Sequence, residues 1–182
     1  MGGPVTASAV ILPKDFPVEL LNDSKKLSEK KRLIATSEIL QNALWSVGWA
    51  SNSEIDSINI LQASLLAMKR AWVGLKIKLS KIDGFEISNY NIVVDGNFVP
   101  KIGDCKIRAE IKADGKFYSV MAASILAKTC RDKMMERYSW IYPEYGYEKH
   151  KGYPTKAHTI AILSCGESPI QRKTFHLPKI NK

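Results

Sequence analysis

The sequence predicts an α/β domain, a sheet with helices packed on its faces, on three observations. The stretch Asn91-Ile92-Val93-Val94-Asp95 is apolar on both alternating faces, the pattern of an inner parallel strand covered on each side. Two other stretches, Ile60 to Leu75 and Ser119 to Asp132, carry apolar or small residues at helical spacing. The 182 residues, 45% of them hydrophobic, fit one domain with a core of its own, spanning 1–182.

In chain order, Met1-Gly2-Gly3-Pro4 precedes an extended apolar run through Leu12 that reads as a strand. A glycine-rich turn is useful only when it joins two elements, so a further element ahead of Met1 is expected. Ser28 is the expected N-cap of a helix from Glu29 to Leu40, with Leu33, Ile34 and Ile39 on its buried side. Leu44 to Ala50 alternates large and small residues as a strand does. Ser53 is expected to cap a short helical turn, and Asn59 a long helix from Ile60 to Leu75 whose stripe of Leu61, Leu65, Met68 and Trp72 faces the core. Lys76 to Asn89 has no period and reads as loop. Beyond the inner strand, Lys106 to Ala113 alternates as a half-exposed strand, and Ser119 opens a helix that is small or apolar all round and therefore deeply packed. Thr155 starts a final helix through Leu163 that Gly166 can end, and Ser168 to Phe175 is extended and basic.

The balance of 27 Lys and Arg against 18 Asp and Glu, a formal charge of +9, favours phosphate-bearing partners over acidic proteins. Cys105, Cys130 and Cys165 are scattered and lack any Cys-x-x-Cys spacing, which argues for reduced thiols and against a disulfide frame or zinc. No stretch reaches the ~18 apolar residues of a membrane span, and the N-terminus does not have the form of a signal peptide. A cytoplasmic protein is the expectation.

Two carboxylates stand out. Asp95 ends the inner strand, where ligands gather in open α/β sheets, although Asp-Gly is equally the mark of a hairpin turn. Asp132 lies two turns after Ile125 on nearly the same helix face, where the pattern predicts core or a cleft wall; an ion pair with Lys128 is the other reading. Two acids in one cleft repel unless a cation lies between them, and an all-oxygen donor set suits Mg²⁺ or Mn²⁺. Further on, Tyr142 to Thr155 interleaves aromatic and basic residues with turn-formers, either a loop that can hold phosphates and stack a ring on a base or sugar, or a plain surface loop. His150, His158 and His176 show no ligand spacing, so surface or supporting roles are expected.

Taken together these stretches resemble the ribonuclease HII (type 2 ribonuclease H) family along almost the whole chain. The matching pieces are Gly3-Pro4-Val5 leading into Ala9-Val10-Ile11-Leu12, Asn22-Asp23-Ser24-Lys25-Lys26-Leu27-Ser28, Ile58-Asn59-Ile60-Leu61-Gln62-Ala63, Val94-Asp95-Gly96-Asn97, Ala122-Ala123-Ser124-Ile125-Leu126-Ala127-Lys128, Arg131-Asp132, His150-Lys151-Gly152-Tyr153, and Ser168-Pro169-Ile170 with Arg172. The resemblance implies a ribonuclease H-like mixed sheet flanked by helices. It also implies an endonuclease that cuts the RNA strand of RNA·DNA hybrids, and beside ribonucleotides embedded in DNA, leaving 5′-phosphate and 3′-hydroxyl ends. Four acids holding two divalent ions, Mg²⁺ or Mn²⁺, would do the chemistry. Asp95 and Asp132 match two of those acids by position. Tyr153 matches a tyrosine packed on the sugar at the RNA-to-DNA junction, within a substrate-contacting C-terminal part at 143–182. Lys25 and Lys26 either touch the duplex backbone or form a solvated helix entrance. A monomer is expected.

The departure from the family pattern is at the start. The family's other two acids lie in an Asp-Glu-x-Gly-Arg-Gly motif at the end of a first strand, and no Asp or Glu precedes Asp15 here. The expectation is a sheet with its central first strand missing from this chain, a slot between two unpaired strand edges, and a natural protein that starts upstream. The rival expectation is a catalytically inactive, nucleic-acid-binding remnant of the same fold.

Overall fold

The computed structural model describes residues 1–103 and 105–176, so the end of the 143–182 part lies outside the described residues. Strand β1, Val5–Ile11, pairs antiparallel with β2, Leu44–Ala50, in a register from Val5 opposite Ala50 to Ile11 opposite Leu44. Between them runs helix α1, Glu29–Asn42, capped as expected by Ser28, whose Oγ accepts the Lys31 amide at 3.3 Å. The face it buries differs from the expected one: Ala35, Thr36 and Ile39 are covered, while Leu33 and Ile34 are exposed.

Helix α2, Asn52–Leu79, is capped by Ser51 and not by Ser53. Ser51 Oγ accepts from the Glu54 amide and the Glu54 carboxylate accepts from the Ser51 amide, a reciprocal pair that satisfies two otherwise orphaned donors. The Arg70 guanidinium hydrogen-bonds that same carboxylate and helps hold its pKa at about 2. At Asn59 the helix breaks, with φ 65°, and Asn59 Oδ1 accepts the Gln62 amide at 3.1 Å. Asn59 thus caps a second helical segment that follows the first across a kink, and that segment extends to Leu79 through residues that read as loop. Its buried stripe is Ala63, Ala67, Ala71, Trp72 and Leu75, while Leu61 is exposed. The reason is proximity. A Cβ on Gly48 of β2 would lie 2.2 Å from the Ala67 carbonyl oxygen, so strand and helix meet backbone to backbone and only small side chains fit.

Strand β3, Asn91–Asp95, pairs parallel with β4, Lys106–Glu110, with Asp95 opposite Glu110. Asp95-Gly96 is therefore no hairpin turn, since a parallel partner needs a crossover. Strand β4 stops earlier than expected because Lys112 takes the left-handed conformation, φ 57°, and starts a 3-10 turn at Ala113–Gly115. Helix α3, Tyr118–Ile141, follows and packs on β1, where Thr6 Oγ1 donates to the Ala127 carbonyl at 3.0 Å and Ser8 Oγ to the Ala123 carbonyl at 2.5 Å. Two short helices close the chain, α4 at Tyr147–His150 and α5 at Lys156–Cys165, the latter capped by Thr155.

The β1–β2 and β3–β4 pairs do not join. Ala9 and Ile11 of β1 and Tyr90 and Ile92, at the start of β3, pack on one cluster of Trp72, Leu75 and Leu79, so the end of β1 lies beside the start of β3. The unpaired edges of the two strands, with the small residues Ala123, Ser124 and Ala127 of α3, enclose a slot of about 300 Å³. Only Val94 of β3 is fully buried, which corrects the reading of that strand as covered on both faces.

Candidate active site

Asp95 ends β3 exposed, at the rim of the slot. Its Oδ1 accepts the Ala113 amide at 2.9 Å, and the next amide of its own chain, that of Gly96 (φ 118°), donates to the Glu110 carbonyl at 3.1 Å. The carboxylate is thereby fixed by one oxygen, with the other left for a ligand. The same 3-10 turn carries Asp114 directly after Ala113, so the segment hydrogen-bonded to Asp95 bears a second, half-buried acid. Sequence reading missed Asp114 because it assigned the stretch before it to a strand. Its own Asp-Gly pair, the same chemistry that drew attention to Asp95, was the available signal.

Asp132 lies in another group. Half-buried on α3, it ion-pairs with Lys128 one turn earlier at 2.7 Å. Lys128 also stands 5.5 Å from the centroid of the Tyr153 ring, and Arg131 4.9 Å from it. Tyr153 remains 43% exposed as a residue. Lys25 and Lys26 are exposed in the turn before α1, where the Asp23 carboxylate accepts the Lys25 amide at 2.9 Å.

Behind Tyr153 the chain is closely tied. Arg172, from the segment read as extended and basic, is buried, donating from Nε to the Gly3 carbonyl at 2.9 Å and from Nη2 to the Pro4 carbonyl at 3.1 Å. Burial, with Arg131 nearby, holds its guanidinium down at about 10. Asp56 of α2 accepts the amides of Lys173 and Thr174, each at 2.9 Å. His150 and His158, for which surface or supporting roles are expected, are both buried and stacked with ring centroids 4.4 Å apart.

Among the described residues no three His, Cys, Asp or Glu side chains gather so as to hold a metal ion. Asp95 and Asp114 supply hard carboxylate oxygens, and one or two such groups with water and a substrate phosphate are what Mg²⁺ or Mn²⁺ takes. The donors present fit one hard cation; a second would need oxygens beyond this pair.

A family model described as Ribonuclease HII matches residues 1–179. The chain is similar to a Treponema denticola protein named Ribonuclease HII, 57% identical over 186 residues, which covers 99% of this chain and 94% of that one. A Shewanella pealeana protein of the same name is 50% identical over 174 residues, covering 95% and 80%. Among solved structures, the fold matches the PCNA:RNase HII complex from Archaeoglobus fulgidus with a TM-score of 0.73 at 22% identity, over 99% of this chain and 91% of that one. Ribonuclease H2 from Pyrococcus horikoshii OT3 matches with a TM-score of 0.59 at 25% identity, over 95% and 89%.

Proposed function

Because the chain belongs to the ribonuclease HII family and is a hydrolase of the ribonuclease H type, we propose that it cuts the RNA strand of RNA·DNA hybrids, and cuts at ribonucleotides embedded in DNA. What supports this reading is a carboxylate at Asp95 anchored through one oxygen at a strand end and, in a second group, a partly exposed Tyr153 flanked by two cations. Asp95 is the residue that holds a divalent ion, Mg²⁺ or Mn²⁺. Such ions, two in the complete site, would supply Lewis-acid activation of water and stabilisation of the leaving oxygen, giving 5′-phosphate and 3′-hydroxyl ends. Tyr153 offers a flat apolar face on which a deoxyribose can lie and which a 2′-hydroxyl would lift, so the junction is read by shape. Lys128 and Arg131 place positive charge around that face, and Lys25 and Lys26 meet the duplex backbone farther off. The protein works as a cytoplasmic monomer with a nucleic acid partner and no membrane, and no described helix is long and apolar enough to cross one.

Two acids compete for the place beside Asp95: Asp132, from the order of the sequence, and Asp114, from the fold. The fold favours Asp114, since the Asp132 carboxylate is already matched by Lys128. Cleavage of a duplex with one embedded ribonucleotide, with Mn²⁺ present, decides among the variants. Asp95→Asn and Asp114→Asn are expected to lose at least about a hundredfold in rate, and Asp132→Asn about tenfold or less. The ranking of the two acids is reversed if Asp132→Asn is the more damaging. The nuclease reading fails if Asp95→Asn cuts as the parent does. A parent chain that binds the duplex and never cuts it would favour the inactive remnant.

A further inference from the structure

The two stacked imidazoles lie directly behind Tyr153, and their hydrogen bonds fix which nitrogen of each carries the proton. His158 Nδ1 lies 2.9 Å from the Tyr153 carbonyl oxygen, which can only accept, so Nδ1 holds the proton. His150 Nε2 lies 2.8 Å from the Tyr145 carbonyl oxygen and so donates as well, which leaves its Nδ1 to accept the Gly152 amide at 3.2 Å. The rings are nearly parallel, at 15°, and therefore carry opposite tautomers face to face. The His150 carbonyl in turn accepts the Tyr153 amide at 2.9 Å. Both polar groups of the Tyr153 backbone, and the amide before it, are thus tied to this pair. Tyr147 closes the pair edge-on, 5.7 Å from one ring and 5.5 Å from the other.

A histidine kept only to fill space is a poor choice at 158. The residue is 1% exposed, and its Nε2 is buried with no partner among the described residues, a loss that leucine or phenylalanine would avoid. Burial holds His158 at about 4, so the ring stays neutral and acts as a fixed donor at neutral pH.

We propose that His158 is a positioning residue for Tyr153: through its Nδ1 proton, with His150 stacked behind it, it sets the height and tilt at which the Tyr153 ring meets the sugar at an RNA-to-DNA junction. This rests on the reading of Tyr153 as the junction-sensing ring. The property it controls is preference, the ratio of affinity for a duplex with one embedded ribonucleotide to affinity for the all-DNA duplex of the same sequence.

The test uses two substitutions of similar polarity. Asparagine places its amide donor near the position of Nδ1, glutamine near that of Nε2. His158→Asn is expected to keep the preference within about twofold, and His158→Gln to reduce it about tenfold, the worth of one hydrogen bond. Nitrogen-15 spectra of the full chain should show a protonated Nδ1 on His158 and a protonated Nε2 on His150. Equal loss in both variants, or the reverse tautomers, overturns the proposal. Tyr153→Ala, measured alongside, separates the two levels. If it leaves the preference intact, the reading of Tyr153 fails and the proposal with it; if it abolishes the preference while His158→Gln does not, only the positioning role fails.

Discussion

The two ends of β1 lie in opposite environments. At its start, the loop of residues 1–4 is clasped by the 168–175 segment. The Gly3 amide donates to the Ile170 carbonyl at 2.8 Å, the Arg172 amide to the Met1 carbonyl at 2.9 Å, and the buried Arg172 side chain takes two further carbonyls. Along its length, the strand presents an unpaired edge to the slot, and β3 faces it with another. The clasp places Tyr153 on a scaffold whose backbone groups are met, while Asp95 ends a strand paired on one side only. The ring proposed to meet substrate is rigidly held, and the carboxylate proposed for the chemistry lies at the looser edge.

Arg172→Ala should break the clasp most severely. It strands the Gly3 carbonyl in a buried site and leaves that of Pro4 to Arg131 alone, and is expected to lower stability by about 3 kcal/mol, read as a shift of the urea midpoint at unchanged slope. Gly152→Ala comes next. Gly152 has φ 76°, and a Cβ would lie 2.6 Å from the Gly2 carbonyl oxygen, so the variant should lose about 2 kcal/mol in the same assay. On the slot side, Ser8→Ala removes one hydrogen bond to α3 and should cost about 1 kcal/mol, measured by thermal unfolding. If Ser8→Ala proves as damaging as Arg172→Ala, the contrast between the regions is wrong. A separate effect, read along pH, is expected in acid. His158 titrates near its usual 6.5 when unfolded and at about 4 when folded, so between those values the unfolded chain binds the extra proton. Stability should therefore fall as pH drops from 6.5 to 4 and level off below, a slope that His158→Asn flattens.

Local signals read the helix starts well. Ser28, Asn59 and Thr155 all cap as their chemistry suggests, because a cap depends on a few neighbouring residues. Which face a helix buries was less legible. On α1, Ala35, Thr36 and Ile39 are buried and Leu33 and Ile34 are not; on α2, alanines take the core and Leu61 does not, since the approach of α2 to Gly48 is a matter of tertiary distance. Asp95 was legible from the strand that ends at it. Asp114 was not, because the left-handed turn at Lys112 that delivers it beside Asp95 leaves no mark in an alternating pattern. The histidines were sought as ligands and escaped notice as a stacked, buried pair, a relation set by folding α5 against α4.

The slot also bears on how the chain behaves before and after it folds. Neither β1 nor β3 carries a lysine or proline to blunt its open side, so each is a template on which any extended peptide can crystallise a new hydrogen-bonded ladder. In crowded solution such a seam attracts strays, and purification of this chain at high concentration should favour clumping that short, soluble strand mimics suppress.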